Sequence, residues 1–439
     1  MSAIRRIRAW EALDSRGTPT VAVRIELDGG TMATALSPSG ASTGSYEALE
    51  LRDGGTRYGG AGVRRAVGNV LERIAPLLIG QDAADPGHVD ALLAEADPSP
   101  GFAGLGANAT LAVSLAVWQA AAFDRGVDLA RHLQPRGALL LPMPMVNIVS
   151  GGAHAGGVID IQDVLAVPHG AADFATAIRW AAAVRAAARA IALRDGHGDA
   201  VLVADEGGLG LRLRGNRAAL ELVVRAIEHA GLEPGRDVSL ALDVAATEFA
   251  GPTGYRLASE GRTLDAAELV DEVRGWVSAF PIVSVEDPLA EDDWDGWVSA
   301  TARLGDRVDL VGDDLFVTDR ARVDRGIAVG AGSAVLVKVN QRGTVSAAHE
   351  ALRVAQEAGW ATIVSARSGD TEHAWLADLA VGWSAGQIKV GSTHRSERTA
   401  KWNRLLELEA TEDTVFAGPW RRAGATGRLG PARLDGAVR

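Results

Sequence analysis

The chain has 439 residues, more than one ordinary hydrophobic core holds, so a large domain with a smaller companion is expected. Hydrophobic residues make up 47% and charged residues 23%, the balance of a globular protein; cysteine is absent, which excludes disulfides, thiolate metal sites and cysteine nucleophiles. Lys and Arg number 44 against 56 Asp and Glu, a formal charge of −12, so there is no basic excess to bind nucleic acid or an anionic membrane.

An anionic small molecule is still an acceptable ligand, because it needs only a locally positive pocket or a metal ion. The start, Met1-Ser2-Ala3-Ile4-Arg5-Arg6, runs into polar sequence instead of an apolar signal core. No apolar stretch approaches the ~18 residues of a membrane span, and a cytoplasmic location is the default expectation.

The first 30 residues read as strands. Val21, Val23, Ile25 and Leu27 alternate with Ala22, Arg24 and Glu26, and Asp28-Gly29-Gly30 supplies a hairpin turn. A loop of small residues follows, Ser37 to Gly44, and then helical patterns near Gly62–Leu78, Val89–Ala94 and Asn108–Asp124. This describes an α+β domain over residues 1–140. The Ala-rich run from Ala171 to Leu193 carries Asp173, three arginines and a Trp, and reads as a helix edged by solvent.

From Leu141 the pattern repeats. Apolar runs end in Asp205-Glu206, Asp243, Glu286, Asp313, Lys338, Ser365 and Lys389, and helical stretches follow them. From Asp243 the steps are 43, 27, 25, 27 and 24 residues, close to what one strand, one helix and two loops require. The series predicts a closed β/α barrel over residues 141–425, with a flexible tail at 426–439. Barrel enzymes keep their chemistry at the C-terminal ends of such strands.

Three acids at one rim, Asp243, Glu286 and Asp313, repel one another unless a hard divalent cation such as Mg²⁺ relieves them. Singly, each also reads as a cap for the next helix. Lys338 and Lys389 end apolar runs as well, and cations nearby would lower the pKa of Lys338 toward that of a general base. Each lysine also reads as a solvent-reaching or purely structural charge. Glu206 sits on an earlier run, placed to act as the partner acid. Asp287, Asp292, Asp293 and Asp295 read as a charged loop around Trp294 and Trp297, and Asp314 should point away from Asp313 by strand alternation. Arg367, Ser368 and Arg395 are candidate phosphate or carboxylate ligands, and His154 is a candidate polar residue in a Gly-rich loop.

These residues sit in long motifs: LDSRGTPTV, PSGASTGSYEALELRDG, DEGG, VSVEDPLAEDDWDGW, LVGDDLFVTD, KVNQRGT and GQIKVGS. The sequence resembles the enolase (phosphopyruvate hydratase) family over about residues 4–410. The resemblance implies that Lys338 abstracts the C2 proton of 2-phosphoglycerate. It implies that Glu206, with Asp163 beside it, assists loss of the C3 hydroxyl. It implies that Asp243, Glu286 and Asp313 hold one Mg²⁺, and that Ser42 helps hold a second together with substrate phosphate. Lys389, Arg367, Ser368 and His154 would bind substrate, and the assembly would be a homodimer or octamer.

Several positions depart from the family pattern. A His of that pattern is Ala366, a Glu is Asp163, an Asn after His154 is absent from Gly156-Gly157-Val158-Ile159, and a Gly before Asp205 is Ala204. The proton-abstracting and acidic positions are kept. The expectation is therefore an Mg²⁺-dependent enolase-like enzyme with extra room on the leaving-group side. Its reaction would be that of carboxyphosphonoenolpyruvate synthase, joining phosphonoformate to a three-carbon enolpyruvate unit in phosphonate or phosphinate antibiotic biosynthesis. The alternatives are ordinary dehydration of 2-phosphoglycerate to phosphoenolpyruvate, and a non-catalytic binding or scaffold protein with a relict site.

Overall fold

The computed structural model describes residues 2–41 and 44–418. The N-terminal part is a three-stranded antiparallel sheet of β1 (Ile4–Leu13), β2 (Pro19–Leu27) and β3 (Met32–Leu36). Helix α1 (Ala107–Asp124) covers it. Residues such as Leu111, Ala112, Val113, Leu115 and Ala116 are buried on every side of α1, so it lies inside the molecule and not on its surface. Its other neighbour is the barrel: Thr110 Oγ1 donates to Gly343 O at 2.9 Å, and Ser114 Oγ accepts from Val345 N at 3.0 Å.

The barrel has eight strands: β4 (Met143–Ser150), β5 (Asp163–Val167), β6 (Ser239–Asp243), β7 (Ile282–Glu286), β8 (Asp309–Gly312), β9 (Ala334–Val337), β10 (Ala361–Ser365) and β11 (Gln387–Gly391). Neighbours pair in chain order, and β11 closes on β4. Five neighbouring pairs and the closure are parallel, whereas β5 runs antiparallel to both β4 and β6. Met143, Met145, Leu165, Val311, Leu336 and Ile363 belong to a buried cluster separate from the main core, as expected of a filled barrel interior. The expected domain boundary at residue 140 falls inside a short strand, Leu139–Leu141, which pairs with Thr414–Phe416. The expected tail, 426–439, lies outside the described residues.

One expectation needs correction. The run Val203-Ala204-Asp205-Glu206 is not a strand: Leu202 and Val203 are exposed, and Glu206 sits in a turn before Leu209–Gly210. The strand overlooked was β5, because a strand running backward brings its first residue, not its last, to the functional rim. The Ala-rich run does form a helix, α2 (Phe174–Arg194), but Arg185 within it is buried. Among the described residues no helix is long and apolar enough to cross a membrane.

Candidate active site

Asp243 ends β6 and Glu286 ends β7, paired in register, and Asp313 follows the last residue of β8. All three are buried. Lys338 follows β9, and Lys389 lies within β11 opposite Ser365, so it reaches the same rim from inside a strand and not from its end. The Lys389 ammonium lies 2.7 Å from Asp243 Oδ2 and 2.8 Å from each oxygen of Glu286. Lys338 Nζ donates to Asp313 Oδ2, and Gln341 Nε2 donates to Asp313 Oδ1 at 3.0 Å.

Both lysines are held charged. Burial opposes the Lys389 charge, but Asp243 and Glu286 hold it well above the ordinary lysine value. Burial also opposes the charge of Lys338, and Asp313 raises it above its ordinary value. Without a cation, the group facing Lys338 is the Asp313 carboxylate, which keeps the lysine charged. Burial, then Asp243, push Glu286 well above the carboxylate range.

Three buried acids here face only two lysines, which leaves the rim short of positive charge. The donors are all oxygens, and Gln162 adds a buried Oε1 without a hydrogen-bond partner while its Nε2 donates to Asp243 Oδ2 at 3.1 Å. Oxygen-only chemistry of this kind is what a hard divalent cation such as Mg²⁺ takes, but Asp243, Glu286 and Asp313 do not bring their carboxylate oxygens together as one group in this structure.

Among the described residues, potential ligand atoms converge within 4.8 Å of one another in two groups: His154, Asp163 and Glu206, and Asp287, Asp313 and Asp314. The second group shares only Asp313 with the expected triad, and Lys389 bonds to both Asp243 and Glu286. Asp287 is not part of a charged surface loop. Buried and with φ of 40°, it accepts the backbone N–H groups of Asp313 at 3.0 Å and Asp314 at 2.7 Å. Asp314 also stays beside Asp313, since β8 has already ended and strand alternation no longer applies; burial, then Asp313, push its pKa up to about 8. Asp293 does cap the helix Trp294–Leu304, accepting from Gly296 N at 3.0 Å.

The reversed strand β5 sets the other sector. Asp163, its first residue, lies opposite Ser150 on β4 and Asp243 on β6. It is fully buried, accepts from Asn147 Nδ2, and lies 2.8 Å from His154 Nδ1. His154 Nε2 is 3.8 Å from Glu206 Oε1. Burial opposes charge on His154, but Asp163, then Glu206, push its pKa up to about 9, so the ring is an imidazolium at neutral pH. Gly207 has φ of +86°, and a Cβ there would meet His394 O at 2.5 Å, so the turn behind Glu206 requires glycine.

On the third side, Arg367 Nη1 donates to Glu47 Oε2 and Asn340 Oδ1, both at 2.8 Å. Ser368 Oγ accepts from Ala41 N at 2.7 Å, and Ser39 and Gly369 exchange backbone hydrogen bonds. The N-terminal domain is thereby stitched to the loop after β10. Ser42 lies outside the described residues.

These sectors meet at a tight cleft, with only about 10 Å³ of free space, lined by His154, Gln162, Glu206, Asp243, Lys338, Ser365, Ala366, Arg367, Ser368 and Lys389. Asp163, Glu286 and Asp313 stand outside that lining and act on it through His154, Lys389 and Lys338. Glu47, Asn147, Asp287 and Gln341 escaped sequence reasoning. Each works through a partner distant in sequence or on a backbone N–H, and no local spacing reveals such contacts.

Comparison with known families agrees with this architecture. Residues 4–133 match the family model described as enolase, N-terminal domain, and residues 138–423 match the one described as enolase, C-terminal TIM barrel domain. With most of its length matched and its carboxylates gathered at the barrel rim, the chain belongs to the enolase family of enzymes.

Proposed function

We propose that this enzyme catalyses the enolase reaction, dehydrating 2-phosphoglycerate to phosphoenolpyruvate. The observation that carries the reading is that Lys338, Lys389, Arg367, His154 and Glu206 line one cavity backed by three strand-end acids. Lys338 is the base for the C2 proton. It keeps its own proton while Asp313 faces it, and burial favours the neutral amine wherever that carboxylate is turned away. Asp243, Glu286 and Asp313 would hold a divalent cation, which would supply positive charge to the substrate carboxylate.

Lys389, released from Asp243 and Glu286, binds the substrate carboxylate. Arg367 and Ser368, with Ser42, bind the phosphate. Glu206 assists departure of the C3 hydroxyl, and His154, kept charged by Asp163, sets the field around it.

A second reading rests on Ala366, a methyl-bearing wall residue of the cavity where the family pattern has His. In that reading the three-carbon unit is joined to phosphonoformate. One experiment separates the two: purified protein with Mg²⁺ and 2-phosphoglycerate, with and without phosphonoformate, followed by phosphorus NMR. Phosphoenolpyruvate formed at normal enolase rates supports dehydration. A product appearing only with phosphonoformate replaces that reading with the second. No turnover and no Mg²⁺-dependent ligand binding defeats both.

A further inference from the structure

Glu206 is the one candidate reacting residue held by a turn and not by a barrel strand or the residue that follows one of the later strands. The turn closes on itself through Gly207 N to Ala204 O and Ala204 N to Gly208 O, both 2.9 Å. What ties it to the barrel comes from elsewhere. Ser392 N, just past β11, donates to Glu206 O at 2.8 Å. Arg185, on helix α2, donates to Gly207 O from Nε at 3.1 Å and from Nη2 at 2.9 Å, and its Nε also reaches Ser392 Oγ at 3.1 Å.

A guanidinium is an expensive way to satisfy one carbonyl. Arg185 is 2% exposed on an otherwise Ala-rich helix, and among the described residues it has no carboxylate partner within salt-bridge distance. Burial, then Arg189, hold its pKa down at about 10. Packing alone would be served better by an apolar side chain. A planar group with several donors can hold two acceptors in fixed relative positions, which an apolar residue cannot. Here the two acceptors are Gly207 O and Ser392 Oγ, and Ser392 is itself bonded to Glu206. The network thus locks the Glu206 turn to the strand that carries Lys389.

We propose that Arg185 is a positioning residue for Glu206, fixing it for departure of the leaving group while taking no part in proton removal at C2. The inference rests on the reading of Lys338 and Glu206 given above. The two half-reactions separate them. Wild type, Arg185→Met, Arg185→Lys and Ser392→Ala are compared in deuterated water with Mg²⁺ and 2-phosphoglycerate, reading C2 hydrogen exchange and product formation.

Arg185→Met is expected to keep exchange near the wild-type rate, with KM little changed, while product formation falls roughly a hundredfold, as for a reacting group displaced by about 1 Å. Arg185→Lys should recover part of the loss, and Ser392→Ala should show the same split more weakly. Exchange and product formation falling together, or neither changing, overturns the inference while leaving the reading intact. Should Arg185→Met not fold, the same split in Arg185→Lys and Ser392→Ala supports the inference, and its absence there overturns it. Wild type that neither exchanges nor forms product removes the reading, and the inference with it.

Discussion

The ammonium of Lys389 lies 2.8 Å from both carboxylate oxygens of Glu286, and 2.7 Å from Asp243 on the neighbouring strand. It occupies the side of these acids that a cation would approach, so lysine and cation compete for the same negative charge. Removing the lysine should therefore help the metal and harm the chemistry. For Lys389→Met we expect Mg²⁺ to bind roughly tenfold tighter without substrate, ~1.4 kcal/mol, measured by calorimetric titration. Turnover should fall about 10²–10³-fold, the scale of losing one charge-stabilising donor. Weaker Mg²⁺ binding would show that the lysine organises the acids instead of competing for them.

His154 gives a pH signature. Its pKa in the folded chain is about 9, above the ~6.5 of an unfolded histidine. The imidazolium's contribution to stability is complete below about pH 6.5 and is lost as the pH rises through about 9. Chemical denaturation of wild type and His154→Gln should differ by up to about 3 kcal/mol at low pH and converge above pH ~9. A difference independent of pH would place its origin in packing.

Asp287 spends both carboxylate oxygens on the N–H groups of Asp313 and Asp314. Asn in its place turns an amide donor toward an N–H donor. Asp287→Asn should destabilise the fold by about 1–3 kcal/mol, the cost of an unsatisfied buried donor. It should also weaken Mg²⁺ binding, because Asp313 loses its anchor. A thermal melt and a Mg²⁺ titration check the two effects separately, and a lowered Tm with unchanged Mg²⁺ affinity would confine Asp287 to the fold.

Glu47 reaches from the N-terminal domain to Arg367 at 2.8 Å, with both side chains nearly buried. Glu47→Ala leaves a buried guanidinium without that partner and should cost about 3–5 kcal/mol. Inorganic phosphate should then raise the Tm of the variant more than that of wild type, because the freed arginine takes an anion. Equal shifts in the two proteins would mean that Arg367 does not face the anion site.

Strands β6 to β9 were legible because each delivers its last residue, or the one after, to the rim. Asp243, Glu286, Asp313 and Lys338 therefore stood at regular intervals along the chain. The antiparallel strand broke that rule and went unseen, and the apolar look of Val203 misplaced Glu206, whose turn is shaped by glycines and by Arg185. Composition and spacing show that acids and lysines share a rim, but only the coordinates show which acid faces which lysine.

The backward course of β5 has an evolutionary corollary. His154, Asp163 and Glu206 all come from one continuous tract, 147–208, whereas the acids and lysines come from 243–389. On the proposed reading, the groups for making the carbanion and those that decide what departs lie in separate tracts of the chain, with Ala366 the exception. A relative could inherit the first intact and exchange the second as a cassette, changing its product in a single recombination and leaving the barrel's repeating half untouched.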